Sequence, residues 1–256
     1  MTLLVTQMSG MLSGCDSSTD PNPPIQDQQI ILVQHKDDSA RIDLNTLLFF
    51  EIDGERAVRL SELIDTNLVP PFRDKQGDAW ESRRLYAYHI IADDGFSASG
   101  SRGYPNNVWE HMLLGHIMIR TRQVVFPKDN IDLAGAYNVK GAARILLKRK
   151  IDLVLPDSTT FVELAGIIPH SVTNPNGDSE LAIPFESIVR SIIPTPEAFT
   201  YTIKALDGAG PDTAIPWNQF QSGYWLINSE RSMFTDPALS TGMYRLSALE
   251  QIIANR

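Results

Sequence analysis

Cysteine is almost missing from this chain: Cys15 is the only one in 256 residues. A single thiol excludes an intrachain disulfide, a cysteine-rich zinc site and an iron–sulfur cluster, each of which needs several thiolates. No C-x-x-C-H run occurs, so covalent c-type haem is excluded as well. Basic residues are also scarce, 22 against 31 acidic ones, for a formal net charge of -9. A sequence-independent grip on nucleic acid, which needs Lys and Arg to neutralise phosphates, is therefore not expected. No run approaches the ~18 apolar residues of a membrane-spanning helix. What is present, 43% hydrophobic and 21% charged residues, is ordinary for a folded globular chain. The length suits one large domain or two of about 100–150 residues.

The lone cysteine has a context. Leu12, Ser13, Gly14 and Cys15 resemble the bacterial lipobox, in which small residues precede a cysteine that is lipidated and becomes the mature N-terminus. The stretch before it is mildly apolar, as a signal peptide's h-region is. The stretch after it, to Gln29, is polar and carries Pro21, Pro23 and Pro24, too little apolar surface to fold and suited to a tether. The resemblance implies lipid attachment at Cys15 and a bacterial cell-envelope location, periplasmic or outer-surface facing. No Lys or Arg precedes Cys15, and a start upstream of Met1 would supply the missing basic region. The competing reading is a cytosolic tail with L-S-G-C by chance.

Beyond the tether the chain repeats itself. Tyr88, Ile90, Ala92, Asp94 and Gly95 have the spacing of Tyr201, Ile203, Ala205, Asp207 and Gly208. Each set alternates with period 2 and stops at Asp-Gly, the mark of a strand entering a turn that needs positive φ. In the same order follow Trp109 to Gly115 and Trp217 to Gly223, then Phe126 and Phe234, each eleven residues after its glycine. Gly135, Tyr137 and Ile145 match Gly242, Tyr244 and Ile252. These agreements predict an α+β fold, a tandem repeat of two mixed α/β units: a signal and tether over 1–29, then units over 30–150 and 151–256.

Within each unit an opening strand is expected at Arg41–Leu44 or Phe161–Leu164, and a turn at Gly54 or Gly177. A short helix follows at Leu60–Leu68 or Phe185–Ile193, where apolar residues recur at i, i+3 and i+4 and Ser61 offers an N-cap. The strand ending at Asp-Gly comes next. One strand is then expected over Ile117–Phe126 or Trp225–Phe234, and a closing strand over Ala143–Leu147 or Leu249–Ala254, the latter reading equally well as a helix. The run Lys148, Arg149, Lys150 reads as a solvated strand end at the joint.

The order of Leu60, Leu63 and Ile64, then Asp94-Gly95-Phe96, Val124–Pro127 and Tyr137–Lys140, resembles the oxidoreductase molybdopterin-binding domain of the sulfite oxidase fold. The resemblance covers most of 43–147 and, more faintly, 161–254. It implies that fold, and in catalytic members a cysteine thiolate on molybdenum. Neither unit contains cysteine, and no basic or histidine cluster stands where the pterin phosphate would be held. The resemblance therefore implies a scaffold rather than its chemistry.

Other chemistry is thinly represented. His111 and His116 are five apart, off the spacing of a helical zinc pair, and His35, His89 and His170 stand alone. No G-x-S-x-G frames any serine. No metal site is expected, and no cofactor unless molybdopterin is retained. The repeated Tyr88, Asp94, Gly95, Trp109, Gly115, Tyr137, Tyr201, Asp207, Gly208, Trp217, Gly223 and Tyr244 are expected to be structural. A ligand or partner is expected where the copies differ. Those places are the loop of Phe96, Ser97, Arg102 and Tyr104, the pair Tyr224 and Trp225 (His116 and Ile117 in the first unit), and the seam between units. The leading expectation is a non-catalytic, lipid-anchored envelope protein that binds a small ligand or another envelope protein. The alternative is a divergent molybdopterin oxidoreductase or a subunit of one.

Overall fold

The computed structural model describes residues 29–98, 106–127, 133 and 135–256. The first half runs β1 (Ile30–His35), β2 (Asp38–Asp43), β3 (Phe50–Ile52), β4 (Glu55–Arg59), β5 (Phe72–Arg73), β6 (Ala79–Trp80), β7 (Tyr86–Ala92), α1 (Trp109–Leu114), β8 (His116–Met118) and β9 (Val124–Val125). Strand β10 (Ala142–Leu155) then leads into the second half. That half comprises β11 (Ser158–Glu163), β12 (His170–Thr173), β13 (Ser179–Pro184), α2 (Phe185–Arg190), β14 (Thr200–Ala205), β15 (Ile215–Pro216), α3 (Trp217–Phe220), β16 (Gly223–Leu226), β17 (Arg231–Phe234) and β18 (Leu249–Asn255).

The expected α+β tandem repeat of mixed units is overturned. Of the described residues 42% are in strands and 20% are helical, with only three short α-helices, and the main sheet is a curled mixed one. The physical reason lies in the segments expected to be helical. Leu60–Leu63 is a single 3₁₀ turn in which Ser61 is buried inside rather than capping, and Arg59 holds the cap position without a side-chain bond. Helix α2 is six residues long and also lacks a side-chain cap. One turn of i, i+3, i+4 spacing is satisfied as well by a 3₁₀ turn as by a helix. Likewise, the single strands expected at Ile117–Phe126 and Trp225–Phe234 are hairpins, β8–β9 and β16–β17, that turn at Arg122 (φ 50°) and Glu230 (φ 50°).

The eight-stranded sheet runs β15-β14-β18-β10-β1-β2, with β7 and β11 also on β10. The N-terminal part of β10 pairs parallel with β1 and antiparallel with β7, and its C-terminal part pairs antiparallel with β11 and parallel with β18. The expected boundary between Lys150 and Ile151 thus falls inside one strand. Side chains alternate with period 2, so Ile145, Leu147, Ile151 and Leu153 share a face. The first two enter one hydrophobic core and the last two a second. Two antiparallel four-stranded sheets, β3-β4-β8-β9 and β12-β13-β16-β17, cover these cores.

Residues paired in the sequence make matching contacts. The buried Tyr88 hydroxyl donates to Arg83 O at 2.7 Å and the Tyr201 hydroxyl to Pro196 O at 2.8 Å. Trp109 lies 5.9 Å from the Tyr88 ring and Trp217 5.6 Å from that of Tyr201. Tyr137 meets Phe126 edge-on, and Tyr244 meets Phe234 the same way. Asp94 and Asp207 each accept the backbone N–H two residues on, closing the turns whose Gly95 and Gly208 have φ of 83° and 78°. Gly115 and Gly223 sit against aromatic rings: a Cβ on Gly223 would stand 2.8 Å from Phe234 Cε1 and closer still to Phe185. Replacing Gly223 by Ala therefore overpacks a rigid ring pair, with an expected loss of about 1–3 kcal/mol. Urea unfolding monitored by circular dichroism checks this; an unchanged midpoint would mean that the rings yield freely.

Candidate functional site

Where the two cores meet on β10, one core-facing position is not apolar. Between Leu147 and Ile151 that position is Arg149, and the strand's pleat directs it toward the junction rather than into solvent. The expectation of a solvated basic end is corrected accordingly, because the strand continues to Leu155. The same holds for Lys150, 5% exposed on the opposite face and ion-paired with Asp152.

The Arg149 side chain is half-buried at the junction. Its Nη1 donates to Leu85 O at 3.2 Å and to Lys150 O, and its Nη2 donates to Leu249 O. Its Nε is buried and finds no acceptor. The guanidinium lies over the Trp225 ring, 4.9 Å from the centroid, a cation–π contact strengthened by desolvation. Burial pulls its pKa down from the ordinary value, partly offset by Tyr86 and Glu230, yet a guanidinium stays charged at neutral pH.

Three adjoining cavities open around this group, of about 350, 400 and 600 Å³, with Lys36 at the rim of all three. Arg149 and Ala165 line the two larger ones. The largest is walled by Leu164, Ile167, Ile183, Trp225 and Ile227, with Lys36, Asp37 and Glu230 among its polar residues. Lys36 tips the β1–β2 hairpin and Glu230 the β16–β17 hairpin; both adopt left-handed backbone, with φ of 55° and 50°. They form an ion pair across the junction. Their side chains are 57% and 41% exposed, so water screens the pair and its contribution to stability is small. Its geometric role is to hold the two hairpin tips together.

Beside Arg149, the buried His35 continues the core face of β1 after Ile31 and Val33. Its Nδ1 lies 3.0 Å from Leu68 O, which can only accept, so Nδ1 carries the hydrogen and Nε2 accepts from the Tyr86 hydroxyl at 3.0 Å. Burial lowers the His35 pKa below 6.5 and raises that of Tyr86 to about 12. Burial thus favours the neutral form of both groups.

The residues expected to bind are only partly brought together. Trp225, 2% exposed, lines the seam cavity. Tyr224 points to the other face of β16 and packs with Ala182, Leu226 and Met233. Phe96 is 46% exposed, and neither it nor Ser97 lines the cavities around Arg149. Cys15, Arg102 and Tyr104 lie outside the described residues. His89 is half-buried, with Nε2 2.9 Å from Glu163. Sequence reasoning missed Arg149 and His35. The signal that would have found both is a polar residue on the apolar parity of an unbroken period-2 run.

A thiolate-held molybdenum centre has no donor among the described residues, which contain no cysteine, and no group of three or more His, Asp or Glu converges there. The side chains present do not fit that group. Comparison with protein-family models, curated proteins and solved structures finds no match to this chain.

The His35 site generates a pH prediction. Its folded pKa is depressed, so the stability it contributes is fully present above 6.5 and is lost as pH falls through the depressed value. The difference in unfolding free energy between wild type and His35→Gln is expected to be widest above pH 6.5 and to narrow on acidification. Urea titrations across pH measure it; a gap that widens in acid contradicts the assigned tautomer.

Proposed function

We propose that this protein is a non-catalytic binding module of a bacterial cell envelope, anchored through lipid on Cys15, and that it takes a small ligand in the seam cavity. One observation carries the ligand-binding part. A cavity of about 600 Å³, larger than the two beside it, lies at the junction, draws its walls from both halves and has Arg149 and Trp225 among its lining residues. That volume falls within the range of small-molecule sites, which are mostly apolar with a few placed polar groups. The anchor rests on the resemblance of Leu12–Cys15 to a lipobox and on the proline-bearing tether behind it. The non-catalytic reading rests on the lack of a cysteine thiolate among residues 30–256.

The neutral solvatochromic dye Nile red tests the cavity without regard to charge. Wild type is expected to bind it with a blue-shifted emission. Ala165→Trp, a substitution at an exposed rim position, is expected to abolish binding while leaving the unfolding midpoint in place. Equal binding by the two proteins would remove the cavity from the reading. Palmitate labelling in a bacterial host is expected for the full chain and not for Cys15→Ser; label retained by the variant, or absent from both, would remove the anchor. Stoichiometric molybdenum in the purified protein would overturn the non-catalytic reading itself.

A further inference from the structure

We infer that the seam cavity selects a monoanionic organic carboxylate with a flat apolar body, its carboxylate on the Arg149 guanidinium and its body along Trp225 and the isoleucines. This rests on the binding-module reading and names the class of ligand.

The inference starts from the charge of Arg149. A guanidinium has five N–H donors. Three of them go to the backbone carbonyls of Leu85, Lys150 and Leu249, which satisfy hydrogen bonds but carry no countercharge. That leaves the Nε–H, which has no acceptor, and one N–H on Nη2. No carboxylate forms an ion pair with Arg149 among the described residues. Glu230, the acidic residue at the cavity nearest in character to a counterion, is instead ion-paired with Lys36. Glu230, Asp152 and Glu250 favour its charge from nearby but none is ion-paired with it, and the open space beside it is where a ligand's anion supplies a direct charge-assisted contact.

The rim narrows the class further. Asp37, exposed, and Glu230, half-exposed, both line the cavity. They oppose a ligand with several negative charges, or one whose charge stays at the mouth. A single negative charge at the leading end passes this rim and reaches the floor. Arginine pairs bidentately with carboxylate and phosphate alike, so it is the acidic rim of Asp37 and Glu230 that favours a single carboxylate over the more highly charged phosphate. Behind the anion, Trp225 offers a ring and Ile167, Ile183 and Ile227 offer flat aliphatic walls, so the body is apolar and planar.

Isothermal titration of the full chain with 2-naphthoate, its uncharged amide 2-naphthamide, and inorganic phosphate tests the inference. The expected result is binding of 2-naphthoate about tenfold to a hundredfold more tightly than of the amide, as a charge-assisted hydrogen bond at a buried site provides. Phosphate is expected neither to bind there nor to compete. Arg149→Gln should bring the two naphthyl ligands to similar affinity. Because that variant loses three backbone contacts that support the fold, Ala165→Trp is the second arm: it should abolish 2-naphthoate binding in a protein of unchanged stability. Equal affinity for acid and amide, both lost in Ala165→Trp, overturns the carboxylate inference and leaves the binding-module reading standing. Binding of 2-naphthoate that survives Ala165→Trp, stronger competition by phosphate, or no 2-naphthoate binding by a wild type that does take up Nile red, each overturns the inference alone.

Discussion

The structure depends on the pairing of one strand. Strand β10 is the neighbour of β1 and β7 over its first part and of β11 and β18 over its second. Each half therefore obtains a central strand from the same continuous piece of backbone. No linker separates the halves, and neither core is complete without its share of Ala142–Leu155. Because the face alternation runs through the junction without a break, both cores lie on the same side of β10. The position between them must face the same way whatever residue it holds. Arg149 faces the junction, half-buried, because the strand is continuous.

Much of the rest follows from that geometry. Two packed cores meeting along one strand leave a gap where the side chains of neither reach, and the cavities around Arg149 occupy it. The hairpin tips of Lys36 and Glu230 close over the gap from opposite halves, each in backbone that an L-residue adopts at a cost. His35 and Tyr86 brace the side next to Leu68. The electrostatics are layered: a screened ion pair stands at the lip, hydrogen-bonded rings at the side, and a guanidinium without a direct ion pair at the floor.

The sequence made some of this legible and hid the rest for identifiable reasons. The strands ending at Asp-Gly were readable because period-2 alternation and a glycine needing positive φ coincide at Gly95 and Gly208. The first-unit helix is over-read because one turn of apolar spacing does not separate a 3₁₀ turn such as Leu60–Leu63 from an α-helix, and Ser61, a cap by its type, lies inside that turn. The second-unit segment does form an α-helix, six residues long, over Phe185–Arg190. The hairpins β8–β9 and β16–β17 were read as single strands because non-glycine residues, Arg122 and Glu230, make their left-handed turns. At the site, Trp225 was picked out because its first-half counterpart, Ile117, is not aromatic. Arg149 was misjudged because the strand was ended at Leu147, which turned a core-facing residue into a terminal one.

The shared strand also has a consequence for how the chain is made. Synthesis proceeds from the N-terminus, so β1, β7 and the first part of β10 can assemble while the second half is still being translated. At that stage Ile151–Leu155 projects from a finished sheet with both of its edges unpaired. Strand β11 arrives at once from the adjoining hairpin, but β18, the last strand along the sequence, comes only after everything between. For that interval the nascent protein displays an apolar strand edge, the kind of template that another chain can join. A scaffold economical in strands is, during its own birth, dependent on whatever keeps neighbouring copies apart.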